Sequence, residues 1–140
     1  MCVENTHENV RKLALFARNC CSDVLAAKDL DLVELAVVEA ANNIVEHSYK
    51  SVGGKPMELN IIREHEQLKF SFVNLGAAFD LKNIPSPTFK WDSVSGIPES
   101  GRGLFLINSI MDEVSFFREG ELNFLIMIRN IPPPTGEFPD

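Results

Sequence analysis

The chain has 140 residues, 45% hydrophobic and 24% charged, with a formal net charge of −7; this describes one folded domain and excludes a disordered chain. The negative charge argues against non-specific binding to nucleic acid or an anionic membrane, and leaves a basic protein partner open. No segment reads as a membrane span or a signal peptide, and three cysteines with an adjacent pair, Cys20 and Cys21, form neither a disulfide framework nor a zinc site, so the expected location is the cytoplasm.

In chain order, Thr6 to about Leu25 reads as a helix, with Thr6 as its cap and Val10, Leu13, Ala14, Ala17 and Cys21 at helical spacing. Asp29 or Asp31 is expected to cap a second helix, which runs to about Tyr49 and stops at Ser51-Val-Gly-Gly54. The period then changes to two. Met57 to Ile62 and Leu68 to Val73 alternate as two antiparallel strands joined at His65-Glu-Gln67. From Gly76 to Ser100 no period survives, and a loop of that length is usually functional or mobile. Gly101 to Met111 reads as a helix started by glycine, and Val114 to Ile128 as a last hairpin turning at Glu119-Gly-Glu121. Residues 1–131 are expected to form one domain and 132–140 a flexible proline-rich tail. The order αα, ββ, loop, α, ββ predicts an α/β two-layer sandwich: an antiparallel or mixed sheet of about four strands, covered on one face by three helices.

The second helix carries an unusual polar face. Glu39, Asn42, Asn43, Glu46 and His47 fall within an arc of roughly 140° at 100° per residue, opposite Val33, Val37, Ala40, Ala41 and Ile44. Its members are short amides and carboxylates without Lys or Arg, and Ala36 on the border leaves room for a ligand. Glu39 and Asn43, one turn apart, suit a water or a hydrated Mg²⁺, which takes oxygen ligands and can make do with one from the protein. His47 fits its place near a helix end by dipole alone. His7 and His65 read as surface residues. Trp91, in the long loop, reads as covering a ligand or touching a partner.

The second informative stretch is Ser100-Gly-Arg-Gly-Leu-Phe-Leu-Ile107. Glycines at a helix N-terminus expose backbone N–H groups to an anion such as phosphate, and Arg102 adds a charge-assisted bond. The segment is neither a Walker A motif, which needs G-K-[ST], nor a dinucleotide fingerprint, which needs a parallel βαβ unit.

Together, an E-x-x-x-N helix, two strands ending in glycine, a long loop and a G-x-G helix resemble the Bergerat-fold ATPases, the superfamily of gyrase, Hsp90, histidine kinases and MutL. Within it the chain is most similar to the bacterial anti-sigma-factor serine kinases of the sporulation and general-stress type, from about Val10 to Ile128. The matching words are Val38-Glu-Ala-Ala-Asn-Asn43 with His47, Phe79-Asp80 followed by Pro85 and Pro87, and Gly101 to Ile107 running into Met111-Asp-Glu-Val114. The resemblance implies that Glu39 is the catalytic carboxylate and Asn43 the Mg²⁺ ligand. It implies that Gly76 lets the chain pass close to adenine, and that residues from about Asp80 to Ser100 form a lid. It places Gly101, Arg102, Gly103 and Leu104 at the triphosphate of ATP. The implied partners are a STAS-domain anti-anti-sigma protein, whose Ser or Thr is phosphorylated, and a sigma factor.

Two features depart from the family pattern. In Phe72-Val-Asn-Leu-Gly-Ala-Ala78, Asn74 and Ala78 stand where the family has the Asp and the second Gly of D-x-G-x-G. An amide oxygen accepts a bond from the adenine amino group without a charge, so an affinity loss of about 1–2 kcal/mol, or about tenfold, is expected. A flipped amide would instead tolerate guanine O6. The residues before Thr6 look too short for the usual first strand, which leaves a sheet edge open to a partner or a second copy. The readings to separate are therefore a Mg-ATP kinase that also sequesters sigma factor, a binding module with weakened nucleotide affinity, and a hydrolase without a protein substrate.

Overall fold

A computed structural model describes residues 1–50, 52–77 and 99–132, with the side chains of 99–102 not described. Residues Ala78, Phe79, Asp80, Pro85, Pro87 and Trp91, most of the expected lid, and the tail from 133 on lie outside the described residues.

The elements are β1 (Cys2–Glu4), α1 (His7–Cys21), α2 (Ala27–Asn43) continuing into a π-helical turn (Ile44–Ser48), β2 (Pro56–Glu64), β3 (Gln67–Asn74), α3 (Glu99–Ile110), β4 (Glu113–Glu119) and β5 (Leu122–Asn130). The strands form one five-stranded antiparallel sheet in the order β1-β2-β3-β5-β4. Inward positions alternate along each strand, as half-buried sheets require. Met57, Leu59, Leu68, Phe70, Phe72, Leu125 and Met127 are buried beneath the helices. From above, Val10, Leu13, Val33, Val37, Ile44 and Ile107 fill the same core. Ala36, Ala40 and Ala41, all fully buried, keep α2 thin where α1 and α3 flank it. Among the described residues no helix is long and apolar enough to cross a membrane.

Three boundaries differ from the expectations. The sheet has five strands, because β1 exists: Val3 pairs with Met57 and Cys2 with Glu58. Three residues are too few to show a period, and the strand is held from its end instead. Buried Asn5 accepts from Lys55 N at 2.9 Å and donates to the Val52 carbonyl, while its own N–H donates to Lys55 O at 2.9 Å. The open edge foreseen at β2 is therefore closed by β1, and the edge strands are β1 and β4. Second, α2 starts at Ala27 without a side-chain cap. Asp29 lies in its first turn, where the helix dipole favours a carboxylate, and pairs with Arg129 Nη2 at 2.8 Å, tying α2 to β5. Third, α3 starts at Glu99, ahead of the glycines. Thr6 caps α1 as expected, its Oγ accepting from Asn9 N at 3.1 Å.

Candidate functional site

The polar face of α2 divides in two, each half an i, i+4 pair. Asn42 and Glu46 turn toward α1. The Asn42 carboxamide oxygen lies 3.1 Å from His7 Nδ1, and Glu46 Oε1 lies 3.8 Å from His7 Nε2. His7 is exposed, as expected, yet it occupies the amide of Asn42 and removes it from the site. Glu39 and Asn43 turn toward α3.

There they meet Gly103. A Cβ built on Gly103 would lie 2.8 Å from Glu39 Oε2 and 3.3 Å from Asn43 Nδ2. The two stretches the sequence singles out thus touch, and glycine at 103 is what lets the α3 backbone reach the carboxylate. Asn43 is 6% exposed, and its Nδ2 is buried without an acceptor among the described residues. A buried orphan amide beside bare backbone is costly without a ligand. Burial is the first cause of the raised pKa of the Glu39 carboxyl, and the nearby Glu46 carboxylate the second. A carboxylate short of solvent and facing a like charge binds protons or cations more readily. Among the described residues no group of three or more His, Cys, Asp or Glu could hold a metal ion. The carboxamide oxygen of Asn43 can supply one protein ligand to a Mg²⁺ that brings its other oxygens as phosphates and waters. Gly101 and Arg102 lie in the first turn of α3, whose leading N–H groups have no intrahelical acceptor. Leu104 places its side chain in the core, and as the sixth residue of α3 its N–H lies inside the helix ladder.

The second half of the site is built by the π-turn, a rare geometry often found at functional sites. It delivers Ser48 and Tyr49 to the end of β3. Ser48 Oγ accepts from Asn74 Nδ2 at 2.7 Å and donates to the Ala77 carbonyl at 2.7 Å; the Ser48 carbonyl accepts from Ala77 N at 2.9 Å. Tyr49 Oη donates to the Pro56 carbonyl and accepts from Leu75 N at 2.9 Å. Burial raises the phenol's pKa, keeping it a neutral donor. Gly76 has φ +114°, and a Cβ there would meet the Ser48 carbonyl oxygen at 2.7 Å. Its lack of a side chain is already required by the protein's own backbone. From the other side Asn123 Nδ2 donates to the Gly76 carbonyl at 3.1 Å, and Arg118 Nη1 to the same oxygen at 2.9 Å.

Glu39, Asn43 and Ser48 stand on one continuous helical spine. Sequence reasoning missed Ser48, Tyr49, Arg118 and Asn123. For Asn123 a signal existed: in Leu122-Asn-Phe-Leu-Ile-Met-Ile128 it takes an inward position of the alternation, and it is fully buried. A polar residue on a core face calls for a reason.

Gly103→Ala separates packing from function. The clash falls on the end of a flexible carboxylate, so the fold survives, and Ala in a helix gains about 0.5–1 kcal/mol over Gly. Thermal unfolding is expected unchanged or higher, while any activity using Glu39 falls at least about a hundredfold because its carboxylate is displaced.

Two curated relatives, each named "Serine-protein kinase RsbW", come from Bacillus cereus strain AH187 and from Bacillus anthracis; each is 31% identical over 104 residues, covering 72% of this chain. The chain spans 64% of the length of these relatives. Among solved structures, the catalytic domain of the histidine kinase ThkA matches with a TM-score of 0.55 at 13% identity, covering 94% of this chain and 96% of that one. A histidine kinase domain from a blue-light-activated kinase of Erythrobacter litoralis matches with a TM-score of 0.55 at 11% identity, covering 89% and 60%. At such identities these two speak to the fold alone, and they agree with the open antiparallel sheet under three helices. The histidine kinase-like ATPase domain matches residues 3–129, most of the 140-residue chain, and the chain belongs to that family.

Proposed function

We propose that this chain is a Mg-ATP-dependent protein serine/threonine kinase and anti-sigma factor of a partner-switching pathway in the cytoplasm, acting on a STAS-domain anti-anti-sigma protein. The observation that carries the reading is the meeting of Glu39, Asn43 and Gly103, which sets a proton acceptor and a metal-ligand amide against the start of α3. The relatives named as serine-protein kinases support the class of reaction.

In this reading Glu39 accepts the proton of the partner's hydroxyl as its oxygen bonds to the γ-phosphorus. The bond from that phosphorus to the β,γ-bridging oxygen breaks, and ADP leaves with the electron pair. A carboxylate whose pKa is raised is a better base for this purpose. Mg²⁺, when bound with Asn43 as its protein ligand, neutralises phosphate charge. Residues Gly101 and Arg102, in the first turn of α3, position the triphosphate through the N–H groups at the helix start, and Gly103 behind them leaves no side chain in the way. Phosphoryl transfer asks chiefly for such positioning and electrostatics. The phosphate adds about two negative charges to the antagonist. With a kinase of net charge −7, it expels the antagonist and frees the surface that holds sigma factor.

The test incubates purified protein with Mg-ATP labelled at the γ-phosphate and the STAS-domain protein encoded in the same genome. Label on a Ser or Thr of that protein is the expected result. A stable complex with no transfer would instead make the chain a stoichiometric binding module, and steady phosphate release without any partner would make it a hydrolase.

A further inference from the structure

The helices pack on the side of the sheet that carries Met57, Phe70 and Met127. The alternate residues of each strand face away from them. By register they form rows across β3, β5 and β4: Val73, Phe124 and Phe117; Ser71, Ile126 and Ser115; Lys69, Ile128 and Glu113. Phe117 and Phe124 stack with ring centroids 4.6 Å apart, although Phe117 is 47% exposed. Leu122 on β5 and Ile62 on β2 are exposed on the same side. From Phe124 to Ile128, β5 is apolar without a break. That is the pattern of a strand buried on both faces, and the described residues cover only one. A contiguous exposed apolar patch marks an interaction surface.

The charges beside the patch say what fits it. Lys69 on β3 and Glu113 on β4 stand in one row, on either side of Ile128. Neither has an ion-pair partner among the described residues. A two-fold axis laid along β5 keeps each row and exchanges β3 with β4. It sets Phe124 on Phe124, Ile126 on Ile126, Val73 on Phe117 and Ser71 on Ser115, and it sets Lys69 over Glu113 twice. Flanking charges of one sign would repel a copy of the same face, whereas this face complements itself. Stacked sheets lie about 10 Å apart, a gap that a lysine and a glutamate close from opposite sides. The angle of about 30° between aligned sheets displaces these rows by less than their spacing. The other charges facing this way from β2 and β4, Glu58, Glu64 and Glu119, lie outside this centre.

We propose that two copies of this chain associate sheet against sheet through this outer face, about a two-fold axis along β5, with Lys69 of each copy over Glu113 of the other. The proposal is independent of the nucleotide-site reading. It leaves the helical side of both copies open, where Glu39, Asn43 and Gly103 meet.

The experiment is sedimentation velocity of the purified full chain from about 1 to about 100 μM at low salt. Wild type is expected to sediment with twice the 15.6 kDa mass of one chain. Ile126→Lys puts a charge at the centre of the contact and is expected to leave a monomer. Should that variant fail to fold, Phe117→Ser, at an exposed position, is expected to weaken the dimer at least about tenfold. Lys69→Glu and Glu113→Lys each set like charges face to face twice. Each alone is expected to raise the dimer dissociation constant about tenfold, and the two together to return it to within about threefold of wild type. A monomer at every concentration overturns the proposal and assigns the patch to a different partner. A dimer unaffected by Ile126→Lys and by Phe117→Ser overturns it, since such a dimer uses another surface. A double charge reversal as weak as the single ones overturns the axis along β5, and the proposal with it.

Discussion

Glu39→Gln is expected to reduce transfer of phosphate to the partner protein by about 10²–10⁴-fold, while Mg-ATP affinity stays within about threefold. The amide keeps the size and the position beside Gly103 and loses only the capacity to take a proton. The same substitution reads out through pH. Burial first, and Glu46 second, raise the pKa of this carboxyl in the folded chain. The fold therefore holds the Glu39 proton more tightly than the unfolded chain does. That contribution to stability is complete below the ordinary carboxylate pKa and is lost as pH rises through the folded value. At pH 7 to 8 the charged Glu39 is then a liability. Glu39→Gln should raise the unfolding temperature there and bring no gain at pH 3. The gain should stay below about 1 kcal/mol, because the carboxylate is partly exposed and solvent screens it. Stability gained together with activity lost marks a residue retained for chemistry. Transfer within threefold of wild type in Glu39→Gln would remove Glu39 from the mechanism.

Gly76→Ala is expected to cost about 2–4 kcal/mol and to lower the unfolding temperature by about 10 °C. Two independent constraints meet at this residue. Its φ of +114° lies where L side chains are strained, and a Cβ would press on the Ser48 carbonyl oxygen at 2.7 Å. Backbone cannot yield as a flexible side chain does. Gly54 supplies the control: its φ is +76°, yet nothing lies within 4 Å of a Cβ placed there. Gly54→Ala should therefore cost only the conformational part, about 1 kcal/mol. Thermal unfolding of both variants decides the matter. Equal shifts would mean that the contact with Ser48 carries no weight. Because Ser48 in turn holds Asn74, any Gly76→Ala protein that folds should bind nucleotide more weakly than Gly54→Ala.

What could be read from the sequence followed the strength of its periods. α1 repeats apolar residues at helical spacing from Val10 to Cys21, β2 and β3 alternate them from Met57 to Ile61 and from Leu68 to Phe72, and β5 is an unbroken apolar run from Phe124 to Ile128, patterns that strands and helices of this kind show. β1, with three residues, has no pattern to read and is held by Asn5, a side chain whose partners lie 47 and 50 positions away. The end of α2 was hidden for a related reason. A π-turn inserts one extra residue per turn, so Ser48 and Tyr49 point where a 3.6-residue period does not put them. Of the site itself, the chemical groups were legible and their connections were not. Glu39, Asn43 and the glycines stand out by residue type. That Gly103 touches both side chains, that Asn42 is diverted to His7, and that Ser48 holds Asn74 are facts of packing. Asn123 was legible in principle, as a polar residue at an inward strand position.

The central claim, that the α2 spine and the start of α3 form a nucleotide site, is tested most directly by titrating the purified chain with ATP and ADP in the presence and absence of Mg²⁺. Saturable binding with one site per chain is predicted, stronger for ATP with Mg²⁺ than without it, and with the Mg²⁺ effect lost in Asn43→Ala. Absence of heat or of saturation for both nucleotides at millimolar concentration, with the protein shown to be folded, would contradict it.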